Sequence, residues 1–266
     1  MRALLAQLEP AAGDVDANAA TVAAALAEHP DAELAVFPEL FLTGYDPSRA
    51  AQLALTPADA PLPTVCAVAK RHGTALLLGF AERTKHGVAN AVACIDSDGR
   101  WAGTYRKTHM FGATERAAFV PGDALCVVEL AGVSVAPLIC FDMEFPEPAR
   151  AVSRAGAALI VTIAANMEPY GPDHALAARA RALDNRRPHL YVNRVGEEAG
   201  LQFVGGSAAV ASDGSLVAEL GSTRGLTVVD LPLGGPATDD VDYLEHLRDD
   251  LVVTAIPSTS VQGGPR

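Results

Sequence analysis

The chain has 266 residues, half of them hydrophobic and a fifth charged, with 20 Lys+Arg against 32 Asp+Glu and a formal net charge of −12. That balance excludes a disordered chain, and the surplus of negative charge argues against nucleic acid or an anionic membrane surface as partner. No apolar stretch approaches the roughly 18 residues a membrane-spanning helix needs, and the N-terminal MRALLAQLEP, a short apolar run with an early Glu9, reads as a mature strand and not a signal peptide.

In chain order, residues 3–8 read as a strand. Asp14 to Asn18 offers capping chemistry for an alanine-rich helix that stops before Pro30. Leu34-Ala35-Val36-Phe37 is a short apolar strand running into Pro38-Glu39-Leu40. Residues 64–72 read as a helix closed by Gly73, with a buried-type strand over 74–79. Strands over 91–95 and 101–105 flank Asp96-Ser97-Asp98-Gly99, a hairpin signal. A strand over 133–140, a helix over 147–155, a strand over 158–163, a helix over 175–186 and a strand over 190–195 follow. Strands over 207–211 and 215–220 flank a second turn, Ser212-Asp213-Gly214. Residues 227–230 are the last clear strand, a polar helix is expected over 240–251, and the end reads as loose.

Alternation of strands and helices points to parallel or mixed sheets covered by helices. The two Ser-Asp-Gly turns sit at comparable places in the two halves: strand, helix, strand, hairpin. Either a diverged internal duplication or two ordinary turns of common composition gives this pattern. No Pro/Gly/Ser-rich linker divides the halves, so the expectation is one domain over 1–266 with two stacked sheets.

Four cysteines form no CxxC pair, and no histidines stand at zinc spacing. A reducing compartment, the cytoplasm, is expected. Cys66 falls in a helix and Cys94 and Cys126 in apolar strands, which suits core packing. Cys140 differs. It ends the strand Val135-Ala136-Pro137-Leu138-Ile139 and precedes a helix near Pro146, an elbow at which a helix N-terminus favours the thiolate; a buried structural cysteine is the plain alternative. Glu39 follows the strand 34–37 at its C-terminal end, where desolvation suits a general base; a solvated loop glutamate reads the same way. Lys107, in Tyr105-Arg106-Lys107-Thr108-His109, closes the first hairpin and could hold an oxyanion or simply face water. Glu115 lies eight residues on, in an expected loop ending at Pro121-Gly122, and says nothing alone.

Taken in order, Phe37-Pro38-Glu39-Leu40, Tyr105-Arg106-Lys107-Thr108-His109 and Cys140-Phe141-Asp142 with Phe145-Pro146-Glu147 each stand at a strand end. The chain resembles the nitrilase superfamily, the carbon–nitrogen hydrolases with a Glu-Lys-Cys triad, over nearly its whole length. Gly13-Asp14-Val15 with Asn18, Gly44-Tyr45, the segment 180–185, Phe203-Val204-Gly205-Gly206-Ser207, and Asp242-Tyr243-Leu244 with Arg248 are similar to further segments of that family.

The resemblance implies an α/β fold, a four-layer α-β-β-α sandwich of two mixed sheets with pseudo-twofold internal symmetry. It also implies a homodimer or higher homo-oligomer, with a C-terminal tail from about 236 extended at the dimer interface. It makes Cys140 the nucleophile, Glu39 the general base, and Lys107 with the Phe141 backbone N–H the oxyanion site. Glu115 matches a fourth acidic residue that places substrate and water. The implied reaction runs through a Cys140 thioester, needs no metal or organic cofactor, and takes a small aliphatic or aromatic amide to acid and ammonia. N-carbamoyl hydrolysis, ω-amidase or nitrilase activity are the alternatives within the family. Phe141-Asp142 after the cysteine departs from the Trp-Glu usual in true nitrilases and is similar to the amidase and carbamoylase branch. Many of those members carry Arg where this chain has Glu144, so a carboxylate-recognising assignment is disfavoured. Asp142 and Glu144 are expected to suit neutral or cationic amides, unless Glu144 faces solvent or pairs with an arginine. Tyr45, Phe111, Phe145 and Asn166 adjoin motif positions and are expected to line the pocket. Outside this reading stand a Cys-His enzyme using His109 or His174, and a non-catalytic scaffold.

Overall fold

The computed structural model describes residues 1–234, 243–248 and 250–252. The first half runs β1 (Arg2–Gln7), α1 (Val15–Glu28), β2 (Leu34–Val36), α2 (Ala50–Leu53), α3 (Leu62–His72), β3 (Ala75–Thr84), β4 (Gly87–Ile95), β5 (Trp101–Arg106) and α4 (Gly112–Ala118). The second runs β6 (Val128–Leu130), β7 (Val133–Ile139), a 3-10 turn (Cys140–Glu144), α5 (Pro146–Arg154), β8 (Leu159–Ala164), α6 (Gly171–Asn185), β9 (His189–Asn193), β10 (Val195–Glu198), β11 (Leu201–Val204), β12 (Ala208–Val210), β13 (Leu216–Glu219) and β14 (Gly225–Asp230).

Two six-stranded mixed sheets form. Their orders are β14-β1-β2-β3-β4-β5 and β13-β12-β9-β8-β7-β6. In the first, β1, β2 and β3 are parallel and the β4-β5 hairpin continues antiparallel from β3. In the second, β7, β8 and β9 are parallel and the β12-β13 hairpin continues antiparallel from β9. One antiparallel strand closes each opposite side, β14 beside β1 and β6 beside β7. The layout is repeated, and both Ser-Asp-Gly turns fall at the equivalent hairpin, as a duplicated arrangement requires.

The alternation of side chains along a strand sets the layers. Ala3 and Leu5 of β1, Leu34 and Val36 of β2, and Ala75 and Leu77 of β3 face the second sheet, meeting Val135, Leu159, Val161 and Leu190 in one core. Leu4 and Ala6, Ala35, Leu76 and Leu78 face the other way, onto Val22 and Leu26 of α1 and Val65 and Ala69 of α3. Helices α5 and α6 cover the second sheet, completing the α-β-β-α order.

Three local expectations differ. Glu115 stands on the short helix α4, its side chain accepting from the Phe111 N–H at the helix start, where a loop was expected. Cys126 precedes β6 and lies outside any strand, half-buried. Within the expected helix over 240–251, residues 243–246 form a turn, and the rest of that span, like most of the tail from 236, lies outside the described residues. The described part touches the second half through the Arg186 guanidinium, 3.9 Å over the Tyr243 ring. No helix among the described residues is long and apolar enough to cross a membrane.

Candidate active site

Glu39 is placed by a backbone that leaves β2 and lies down on β3. Phe37 N–H donates to Leu77 O and Leu42 N–H to Gly79 O, both at 2.9 Å. Gly79 makes this possible: a Cβ there would lie 2.3 Å from Pro38 O and 2.4 Å from Leu40 N, so any side chain would lift the Glu39 loop off the sheet. Leu40 turns the chain with φ 51°, the left-handed region. The fully buried Glu39 carboxylate is then tied on both oxygens. Oε1 accepts from Asn90 Nδ2 (2.6 Å) and Lys107 Nζ (2.8 Å), and Oε2 accepts from the backbone N–H of Ala165 (2.8 Å), just past β8.

Lys107 follows β5, its backbone N–H donating to Asn90 O at 2.8 Å. Its buried ammonium lies between two carboxylates, 2.8 Å from Glu39 Oε1 and 2.9 Å from Glu115 Oε2. Burial works against its charge, but Glu39, Cys140 and Glu115 more than offset that, so the ammonium keeps its proton well above the usual lysine range. Glu115 also accepts from the Tyr45 hydroxyl (2.6 Å) and the Phe111 N–H (2.8 Å).

Cys140 opens the 3-10 turn after β7 with φ 50°, a rare conformation for a residue bearing a side chain. The sulfur is buried, not presented to solvent. Burial pushes its thiol well above the usual cysteine range; Glu39 adds to this, while Lys107 and the Ala165 N–H oppose it. This corrects the expectation of a helix-stabilised thiolate. Desolvation and a neighbouring carboxylate outweigh the helix, whose first residue, Pro146, lies six positions on. Burial and the Glu39 carboxylate thus favour the protonated sulfur, and a proton acceptor beside it assists ionisation. Phe141 is the second residue of the turn, so its N–H has no acceptor inside it.

Asp142, expected to meet substrate, does not. It is fully buried and clasps the end of the lysine strand to the cysteine turn. Oδ1 accepts from Thr108 Oγ1 (2.8 Å) and His109 N (2.9 Å), and Oδ2 from Tyr105 OH (2.8 Å) and Ile139 N (3.1 Å). Glu144 pairs with neither an arginine side chain nor solvent alone: its Oε1 lies 3.1 Å from Nε2 of buried His174, whose Nδ1 lies 3.0 Å from the Tyr191 hydroxyl. Arg181 holds the same turn by donating to Met143 O and Glu144 O at 3.0 and 3.1 Å.

A cavity of about 490 Å³ adjoins the cluster, lined by Tyr45, Phe111, Glu115, Met167, Tyr170 and Leu201 among others. Tyr45 and Glu115 belong to both its wall and the lysine cluster. Phe145 does not line it but stacks on His109, with centroids 4.4 Å apart, and meets Phe141 edge-on. Asn166 is absent from the lining as well; its side chain donates to Tyr170 O at 3.1 Å and supports the loop that carries Tyr170. His109 lies beside Asp142 and His174 beside Glu144, so neither forms a Cys-His pair with Cys140. Sequence reading missed Asn90, Gly79 and the Ala165 N–H. Each acts through a partner distant in the chain, and no local pattern marks it. Among the described residues, no group of three or more His, Cys, Asp or Glu side chains could hold a metal ion.

Comparison with known proteins agrees with this geometry. The family model described as carbon-nitrogen hydrolase matches residues 2–236. The chain is 38% identical over 253 residues to an (R)-stereoselective amidase of Pseudomonas sp., covering 93% of this chain and 92% of that one. It is 39% identical to a protein of Pseudomonas protegens described as a hydrolase in the pqqF 5' region, over 94% of this chain and 90% of the relative. Among solved structures, an amidase from Nesterenkonia sp. AN1 superposes with a TM-score of 0.85 at 32% identity, covering 93% of this chain and 94% of that one; that mutant shows covalent addition of the acetamide moiety of fluoroacetamide at its active site cysteine. With two stacked mixed sheets and a buried Glu-Lys cluster beside an elbow cysteine, the chain belongs to the carbon–nitrogen hydrolase family, the nitrilase superfamily of the sequence resemblance.

Proposed function

We propose that the protein is an amidase that hydrolyses a small carboxamide to its acid and ammonia through a Cys140 thioester. The observation carrying this reading is the Lys107 ammonium held between Glu39 and Glu115 beside the Cys140 thiol. Amides resist water because attack destroys resonance and the amine leaves poorly, so each partner has a defined task. Cys140 Sγ attacks the carbonyl carbon while its proton passes to Glu39. The Lys107 ammonium and the Phe141 N–H face the oxygen on which charge develops, inside a site where such donors act strongly. Glu39 returns the proton to nitrogen, the C–N bond breaks, ammonia leaves and a thioester remains. Water then attacks the thioester, giving a proton to Glu39; the C–S bond breaks, the sulfur recovers that proton, and the acid departs. Glu115, fixed by Lys107, Tyr45 and Phe111, orients the amide and the water.

The same reading treats 1–266 as one catalytic domain, places it in a reducing cytoplasm in keeping with its free cysteines, and makes it a homo-oligomer. The exposed Leu176 and Leu183 on α6, with Leu216 and Val217 on β13, support an apolar contact between copies. Ammonia release from a panel of a short aliphatic amide, an aromatic amide, an N-carbamoyl amino acid and a nitrile tests the reaction. Release from simple amides that falls by roughly 10⁴-fold or more in Cys140→Ala is the expected result. Release only from the carbamoyl compound, or equal release by the variant, overturns it.

A further inference from the structure

The cavity beside the lysine cluster runs from exposed residues, Ser48 and Glu168, to the buried Tyr45 and Glu115. Its size suits a small organic acyl group, and Phe111, Met167, Tyr170 and Leu201 give it apolar and aromatic walls. The charged lining residues, Asp46, Glu115 and Glu168, are all acidic. Among the described residues, lysine, arginine and histidine are absent from that lining. Cations of the neighbouring segments stand outside that lining. Lys107 is shared between Glu39 and Glu115, Arg194 is buried on Glu198, and the Arg49 guanidinium lies against Gly13. Arg116 follows Glu115 on α4 but is exposed and outside the lining. Asp46 is held with Oδ1 accepting from Ser48 N (3.0 Å) and Ser48 Oγ (2.6 Å), which fixes the position of its charge.

A carboxylate on a substrate would thus enter a cavity of like charge with no cation to receive it. An ammonium would meet Asp46, held by Ser48, and the exposed Glu168. We infer that the site selects carboxamides whose acyl chain is apolar and ends in a protonated amine, and rejects those ending in a carboxylate, with Asp46 and Glu168 as the residues that set this choice. The inference rests on the amidase reading and deepens it.

Three amides of equal length test it: pentanamide, 5-aminopentanamide and glutaramate, compared by kcat/KM at low and high salt. Each carboxylate acts across several ångströms of partly aqueous cavity, which corresponds to about a three-fold effect per charge. The expected order is 5-aminopentanamide, pentanamide, glutaramate. The advantage of the cation should shrink in high salt, and D46N with E168Q should lower the ratio of 5-aminopentanamide to pentanamide kcat/KM about nine-fold, through KM. Glutaramate hydrolysed as well as pentanamide or better, or a cationic preference untouched by D46N/E168Q, overturns the inference with the amidase reading intact. Failure of all three amides in the wild type, matching C140A, removes the amidase reading and the inference with it.

Discussion

The two halves of the molecule repeat one layout and do opposite work at its strand ends. In the first half, the chain after β2 carries Glu39 and the chain after β5 carries Lys107, so this half supplies the titratable charge. In the second, the chain after β7 carries Cys140, and the chain after β8, the counterpart of β2, carries Ala165 and Asn166 and offers a backbone N–H where the first half offers a carboxylate. Both halves bend sharply here, at Leu40 beside Glu39 with φ 51° and at Cys140 itself with φ 50°. The repeat therefore explains where side chains converge but not what they do; the chemistry comes from the residues in which the halves diverge.

The sharpest way to break this division is Glu39→Gln. Without the proton acceptor, hydrolysis should fall by about 10²–10⁴-fold. The sulfur belongs to the other half and should still alkylate. Because Glu39 helps to raise the Cys140 thiol, its neutralisation should move the iodoacetamide rate profile to lower pH. A thiol that becomes inert, or a profile moved to higher pH, would show that the halves are not separable in this way. A smaller effect is expected at Gly79→Ala, where the new methyl would meet the Glu39 loop backbone. It should cost about 1–3 kcal/mol in urea melts and lower kcat, whereas Gly103→Ala, with open space around it, should do neither. Equal behaviour of the two variants would count against the close approach as the device that sets Glu39.

The gentlest probe is pH. His189 of the second half is fully buried, and burial pulls its pKa down from the usual 6.5 to about 4. Its Nδ1 lies 3.0 Å from Ala178 O and its Nε2 2.8 Å from Thr162 Oγ1. The first half has Ala75 at the start of β3, the equivalent strand. A lowered histidine pKa gives stability that is complete above pH 6.5 and is lost as pH falls toward 4, because the unfolded chain binds the proton first. About 3 kcal/mol should disappear over that window in urea titrations, and His189→Gln should flatten that part of the curve. An unchanged slope in the variant would assign the acid sensitivity to other groups.

Much of this was legible in the sequence. The parallel strands, the two Ser-Asp-Gly hairpins, Glu39, Lys107 and Cys140 all stand in local patterns: apolar runs that end at a polar or reactive residue. Asn90, Gly79 and Ala165 do not. They look like ordinary strand residues, and their roles arise only when Glu39 is set against β3, β4 and the end of β8. Asp142 and Glu144 were readable as acids near the nucleophile, but their partners Tyr105, Thr108 and His174 are far along the chain, so their commitment to structure was hidden. The state of the Cys140 thiol was misread for the same reason. A helix start is visible locally, whereas burial and a carboxylate from the opposite sheet are not.

The bonds of Glu39 have one more consequence. Its carboxylate joins Asn90 and Lys107 of one sheet to Ala165 of the other, so under the proposed mechanism the acid–base group is held only while the sandwich is shut. Turnover is then a gauge of sheet-to-sheet closure: a chain whose first sheet has formed alone holds a carboxylate and an ammonium but no seated nucleophile, and catalytic competence arrives with the last layer to dock.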